Sequence, residues 1–179
     1  MTDILVDDHA EVDALMGGLA AAFEGGDARE ILARLDYVWA RLAVHIRAEH
    51  LCLFPALLAA AEREGAATGV PSPGEVRASV ARLREDHDFF MRELAEAVNG
   101  ARALAAGGGA ADVGGLEAIR DRVLAVAERL GEHNRIEEGQ VYLWPEALLG
   151  AEARARLGIS MRREVENLPP RFSVGDPGS

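Results

Sequence analysis

The sequence holds one cysteine, Cys52, in 179 residues. No intrachain disulfide can form, and a metal cage built of thiolates is excluded. Aromatic residues are scarce at 5 %, and long β-branched runs are missing, which disfavours an all-β fold. Positive charge is also in deficit: 19 basic residues stand against 30 acidic ones, for a formal net charge of −11 and a pI near 4.9. No basic stripe offsets that balance, so nucleic acid is not an expected partner. The acidity is read as a solubility feature. The opening stretch MTDILVDDHAEVDALM places acids where a secretory signal would carry Lys or Arg. No uninterrupted apolar run approaches the roughly 20 residues of a membrane span. A cytoplasmic protein that engages no membrane is expected.

What the chain does have is helix-forming material. Hydrophobic residues make up 49 % of it, with Ala, Leu, Val, Glu and Arg prominent. Leu5, Val12, Met16, Leu19 and Phe23 share one face of a first helix, after which EGGD supplies a glycine stop and Asp27 a cap. A second helical pattern covers about 28–64 and contains Pro55, which predicts a kink or break near Leu53. Ser72, Pro73 and Glu75 spell a capping box that starts a third helix, running to about Ala106. A flexible glycine-rich connector with Asp112 as cap leads into a fourth, expected to reach Pro145. A short fifth helix is expected over about 152–167, and 168–179 reads as a disordered tail. The predicted architecture is all-α, an antiparallel up-down-up-down four-helix bundle over residues 1–167.

Two stretches repeat one phrase: HIRAEHLCLFPAL from His45 and HNRIEEGQVYLWPEAL from His133. Each has a histidine, a glutamate four residues later, and an aromatic-proline pair further on. Positions four apart on a helix differ by about 40°, so His45 projects with Glu49, and His133 with Glu137, toward the predicted core. His9 and His87 occupy the apolar faces of the first and third helices. His9 lies about as far before the first loop as His45 lies after it, roughly 25 Å at about 1.5 Å per residue. The same holds across the other loops, so an antiparallel bundle brings all four histidines to one level.

Buried imidazoles without partners cost about 1–3 kcal/mol each, and an unpaired carboxylate several. Hydrogen bonds among the Glu and His groups offset both, or metal coordination does; four histidines at one level with two glutamates favour metal. Six ligands exceed one tetrahedral zinc site, but they suit two octahedral ions with two histidines each, both glutamates bridging, an oxo or hydroxo bridge, and one position open. Nitrogen and hard-oxygen donors without thiolate fit iron best, with manganese next.

With DDHAEVDALM, HIRAEHLCLFPAL, REDHDFFMREL and HNRIEEGQVYLWPEAL in this order, the chain resembles the hemerythrin-like proteins of the HHE cation-binding family over about residues 3–150. The resemblance implies a non-haem di-iron site on His9, His45, Glu49, His87, His133 and Glu137. It also implies reversible binding of dioxygen or nitric oxide, in oxygen carriage, sensing, iron handling or stress defence. Oxygen-carrying hemerythrins place a second histidine one turn along the third helix, where this chain has Met91. That departure resembles a four-His, two-Glu branch that includes iron-centre repair proteins, though their cysteine-containing N-terminal extension is lacking. Turnover of peroxide or nitric oxide, or iron donation to damaged iron-sulfur centres, is therefore the alternative function.

Other side chains compete for roles. Glu138 is an alternative to Glu137, although an ideal helix turns it about 140° from His133. Asp13, four residues after His9, reads as a group that orients a ligand or a bridging water. His50 points about 100° from Glu49 and suits an interhelical or surface role. Cys52 reads as a small buried hydrophobe, with a redox role near the site as the alternative.

Overall fold

Helix ends follow the local chemistry that the sequence writes. The computed structural model describes residues 2–65, 69–107 and 113–172, and these are helical nearly throughout, with no strand. Helix α1 (Asp3–Gly25) closes on Gly26, whose φ of 72° is a left-handed conformation suited to glycine. Helix α2 (Ala28–Ala48) starts at Asp27, whose carboxylate accepts from the Arg29 and Glu30 amides. Helix α4 (Pro73–Ala106) opens with the capping box of Ser72 and Glu75, each side chain bonded to the other's backbone amide.

Pro55 does not break the second helical stretch. Its missing N–H and its ring are absorbed by a π-helical segment, Glu49–Leu53, in which the Phe54 amide bonds back to the Glu49 carbonyl. Helix α3 (Phe54–Glu64) then continues. The fourth pattern, by contrast, does break. Helix α5 (Val113–Gly139) ends well before Pro145; Gln140 leaves helical geometry (φ −139°, ψ −65°), and a 3-10 turn, Val141–Leu143, leads into α6 (Trp144–Leu148). Helix α7 (Ala151–Val165) follows, and a 3-10 turn at Pro170–Phe172 sets Arg171 on Asp36 (3.1 Å). Asp112, most of the expected glycine-rich connector, and residues 173–179 of the expected tail lie outside the described residues.

Helix α1 packs on α2 and α5, α2 on α4, and α4 on α5, contacts that fit a four-helix bundle; α3 adjoins α4 and α6, and α7 lies against α2, the π segment and α1. By length and mean hydropathy the stretch Ala28–Glu64 is apolar enough to cross a membrane, although charged residues interrupt it. Half of its most apolar window is buried inside the protein, as in a core helix.

The core divides in two. One cluster gathers Leu5, Leu53, Phe54, Leu83, Val141 and Met161. The other gathers Val12, Leu35, Ile46, Phe90, Val126 and Leu130. On α1, α2, α4 and α5 alike, the change from one cluster to the other falls at the histidines. A polar layer therefore separates two dry halves.

Ser72→Ala removes the cap of α4 and is expected to cost about 1 kcal/mol, read as a lower denaturation midpoint with unchanged slope. Leu94→Ala, at a site with no exposed surface, is expected to cost about 2–5 kcal/mol.

Candidate metal centre

All six residues that the sequence singled out for the layer are buried, and Glu49 and Glu137 have no exposed surface. His45 and Glu49 come from the end of α2 and the start of the π segment, His133 and Glu137 from the last turns of α5, His9 from α1, and His87 from α4. Their ring nitrogens sort into two sets.

The four Nε2 atoms face inward. His9 Nε2 lies 3.2 Å from Glu137 Oε2, and His133 Nε2 lies 3.1 Å from Glu137 Oε1. His87 Nε2 lies 3.2 Å and His45 Nε2 3.7 Å from Glu49 Oε2. His87 and His133 approach each other at 3.0 Å, Nε2 to Nε2. One ligand atom each from Glu49, His87, His133 and Glu137 lies within 4.8 Å of the others, and His9, His45 and Glu137 form a second such group. Glu137 belongs to both.

The four Nδ1 atoms face outward, and each has a partner. His45 Nδ1 donates to Asp8 (2.7 Å), His133 Nδ1 to Asp86 (3.2 Å) and His9 Nδ1 to Glu138 (2.8 Å). His87 Nδ1 pairs with His50 Nε2 at 2.9 Å. A carboxylate accepts only, so in a neutral ring it fixes the proton on Nδ1 and leaves the Nε2 lone pair for the centre. Outward partners of this kind orient metal-binding imidazoles and raise their basicity.

Two buried carboxylate oxygens, Glu49 Oε2 and Glu137 Oε1, make no hydrogen bond in the described structure despite their imidazole neighbours. Inward lone pairs and orphaned carboxylate oxygens in one dry layer are a donor set that a cation satisfies. The residues present therefore fit a metal.

The charges of the layer act on one another. Burial works against a charged His9, but Glu137, Glu138 and Glu49 outweigh it and raise its pKa to about 9. Burial likewise opposes the rise at His133, which Glu137, Glu49 and Asp86 nevertheless produce. Burial would lift the Glu137 carboxyl, yet the facing His133 and His9 rings, with His45, hold it well below the usual range. His50 is pushed down by burial and by the adjacent His87 and Arg84.

Several expectations need correction. Asp13 is exposed: the buried stripe of α1 centres on Leu5, Val12 and Leu19, His9 sits at its edge, and Asp13 lies about 40° further out. Asp8, at the other edge, takes the orienting role. Glu138 is part-exposed and bonds His9 from outside, whereas Glu137 enters the layer. Cys52 packs half-buried against the first core cluster, its thiol pushed up by burial and by Glu164 of α7. It faces α7. His50 takes the interhelical place expected of it, on His87.

Sequence reasoning passed over Asp8, Asp86, Arg41, Arg129 and Tyr142. Arg41 pairs with Asp8 and donates to the Val165 carbonyl (3.0 Å), while Arg129 pairs with Asp86 (2.7 Å). The signal was available: an Asp-His pair opens each half at Asp8–His9 and Asp86–His87, and Arg-x3-His-x3-Glu occurs twice, at Arg41–Glu49 and Arg129–Glu137. Each aspartate reaches the histidine of the next helix, and the arginine one turn before that histidine holds the aspartate.

The family model for the hemerythrin HHE cation-binding domain matches residues 1–145. The chain belongs to that family. Comparison with curated proteins and with solved structures returned no match. The family and the buried His/Glu cluster together mark a metal-binding protein.

Removing the Nδ1 partner of His133 by Asp86→Ala is expected to lower metal affinity by about 10–100-fold while helicity persists. Competition with a chromophoric chelator measures this; unchanged affinity would show that other contacts fix the His133 ring.

Proposed function

We propose that residues 1–167 form an antiparallel up-down-up-down bundle that holds two iron ions and binds dioxygen or nitric oxide at them. The observation that carries this reading is the convergence of four inward Nε2 atoms on two buried carboxylates, with every Nδ1 tied outward. The order of the core clusters supports the alternation of direction: α1 and α4 pass from the first cluster to the second, and α2 and α5 return.

His9 and His45 would hold one ion and His87 and His133 the other, with Glu137, and Glu49 beside it, between them. Nitrogen and hard-oxygen donors favour iron, with manganese the competitor. Bound iron supplies a redox couple and a coordination position for a small gas. The protein supplies the rest. Two carboxylates balance metal charge in a dry layer, and Asp8, Asp86, Glu138 and His50 hold the rings in register. Phe54, stacked on His87 at 6.0 Å, and Phe90, edge-on to His133 at 5.2 Å, exclude water from one side. A small uncharged guest suits such a wall. The lone free cysteine fits a reducing cytoplasm.

Iron-centre repair or peroxide chemistry is the second reading. Met91 favours it, because this residue packs into the second apolar cluster at the place where oxygen carriers have a further histidine.

Elemental analysis of protein expressed with ample iron is expected to give about two irons per chain; one zinc or none would sink the proposal. Iron should also raise the thermal midpoint, since only the folded bundle presents all six ligands together. His87→Ala should empty one position while the helices survive, measured as iron content alongside circular dichroism.

A further inference from the structure

The two halves of the layer are related by an internal repeat. His9 and Asp8 correspond to His87 and Asp86, and Arg41, His45 and Glu49 to Arg129, His133 and Glu137. Even the outward partners match: His50 follows Glu49 and bonds the His87 ring, and Glu138 follows Glu137 and bonds the His9 ring. At the centre of the layer, Tyr142 has no counterpart. Tyr142 is 3 % exposed, and its hydroxyl reaches the centre of the layer on one side only.

The second copy of the repeated phrase is longer before its proline than the first: His133 to Pro145 against His45 to Pro55. In the first copy the π segment keeps the helix going; in the second, the extra length ends α5 at Gly139 and forms the 3-10 turn that carries Tyr142. On an unbroken helix Tyr142, five residues after Glu137, would lie about 140° away from it. The break turns it inward instead. The Thr2 hydroxyl donates to its carbonyl at 3.2 Å, and its ring stacks beside His9 at 5.5 Å.

The hydroxyl oxygen lies 2.7 Å from Glu49 Oε1, 3.0 Å from Glu137 Oε2, 3.2 Å from His9 Nε2 and 3.5 Å from His45 Nε2. A phenol has one proton and can donate to one of these four atoms. In the neutral rings that a metal requires, Glu138 and Asp8 hold the protons of His9 and His45 on Nδ1, so both facing nitrogens then offer lone pairs. The oxygen then stands among four acceptors in a buried layer. Adjacent ligands of one ion, each about 2.1 Å from it, stand about 3 Å apart in octahedral geometry. The separations around Tyr142 cluster near that edge length.

We propose that Tyr142 is a protein ligand of the ion held by His9 and His45, which makes the two metal positions chemically unequal. This rests on the di-iron reading. On metal entry the phenolic O–H bond breaks, an oxygen–metal bond forms, and the proton is released to solvent with no change in iron oxidation state. The ion at His87 and His133 has no such oxygen. An exogenous ligand therefore meets one position already filled from the chain and one flanked by Phe54 and Phe90.

The test is spectroscopic. Oxidised, iron-loaded wild-type protein is expected to show a visible tyrosinate-to-ferric charge-transfer band, with resonance Raman ring modes that shift when tyrosine is ring-deuterated. Tyr142→Phe should lose the band while iron remains at the His87 and His133 position. Tyr37→Phe, at the only other tyrosine, should keep it. Labelled wild-type protein with Tyr37→Phe decides the matter even if Tyr142→Phe folds poorly. Two irons without tyrosinate modes would overturn the ligand assignment and leave the di-iron reading standing. Fewer than two irons in the wild type would overturn both.

Discussion

Two carboxylates with no access to water face four imidazole nitrogens in the middle of a helical core. Left alone, such groups would cost several kcal/mol per charge. Much of the surrounding structure answers that constraint. Asp8 and Asp86 take the outer protons of two rings, Arg41 and Arg129 hold those aspartates, and two apolar clusters seal the layer from either side. The fold tolerates the polar layer because nearly every group in it has a partner, and a cation would satisfy the orphaned carboxylate oxygens.

The same layer shows why some of the design was legible in the sequence. Periodicity gave the helices, and the capping residues Asp27 and Ser72 gave two of their starts, since both depend on neighbours in the chain. His45 with Glu49 and His133 with Glu137 were legible for the same reason: the i, i+4 relation is fixed by helix geometry. Asp8 and Asp86 act across helices, and their partners are set by packing. Asp13 was read by the within-helix rule and lies in solvent. Tyr142 was beyond the rules of regular helices altogether, because its direction depends on where α5 gives out.

Pro55 and Pro145 sit after similar phrases but have opposite effects. Before Pro55 the chain widens into a π turn and remains a helix; before Pro145 it stops and restarts. An internal repeat that would otherwise be nearly twofold acquires a distinct side there. The difference of length between the copies, visible in the sequence as a mere irregularity, becomes a chemical difference at the centre.

Helix α7 lies beyond residue 145, where the family match ends, yet it is joined to the layer through Arg41. That guanidinium donates to the Val165 carbonyl and pairs with Asp8, which in turn holds Nδ1 of His45. Arg47 adds a second tie, to the carboxylate and carbonyl of Glu164. A chain of hydrogen bonds and ion pairs thus runs from the backbone of α7 to an imidazole ring of the layer. Position at the protein's surface and the direction of a buried ring are therefore held by one continuous set of bonds.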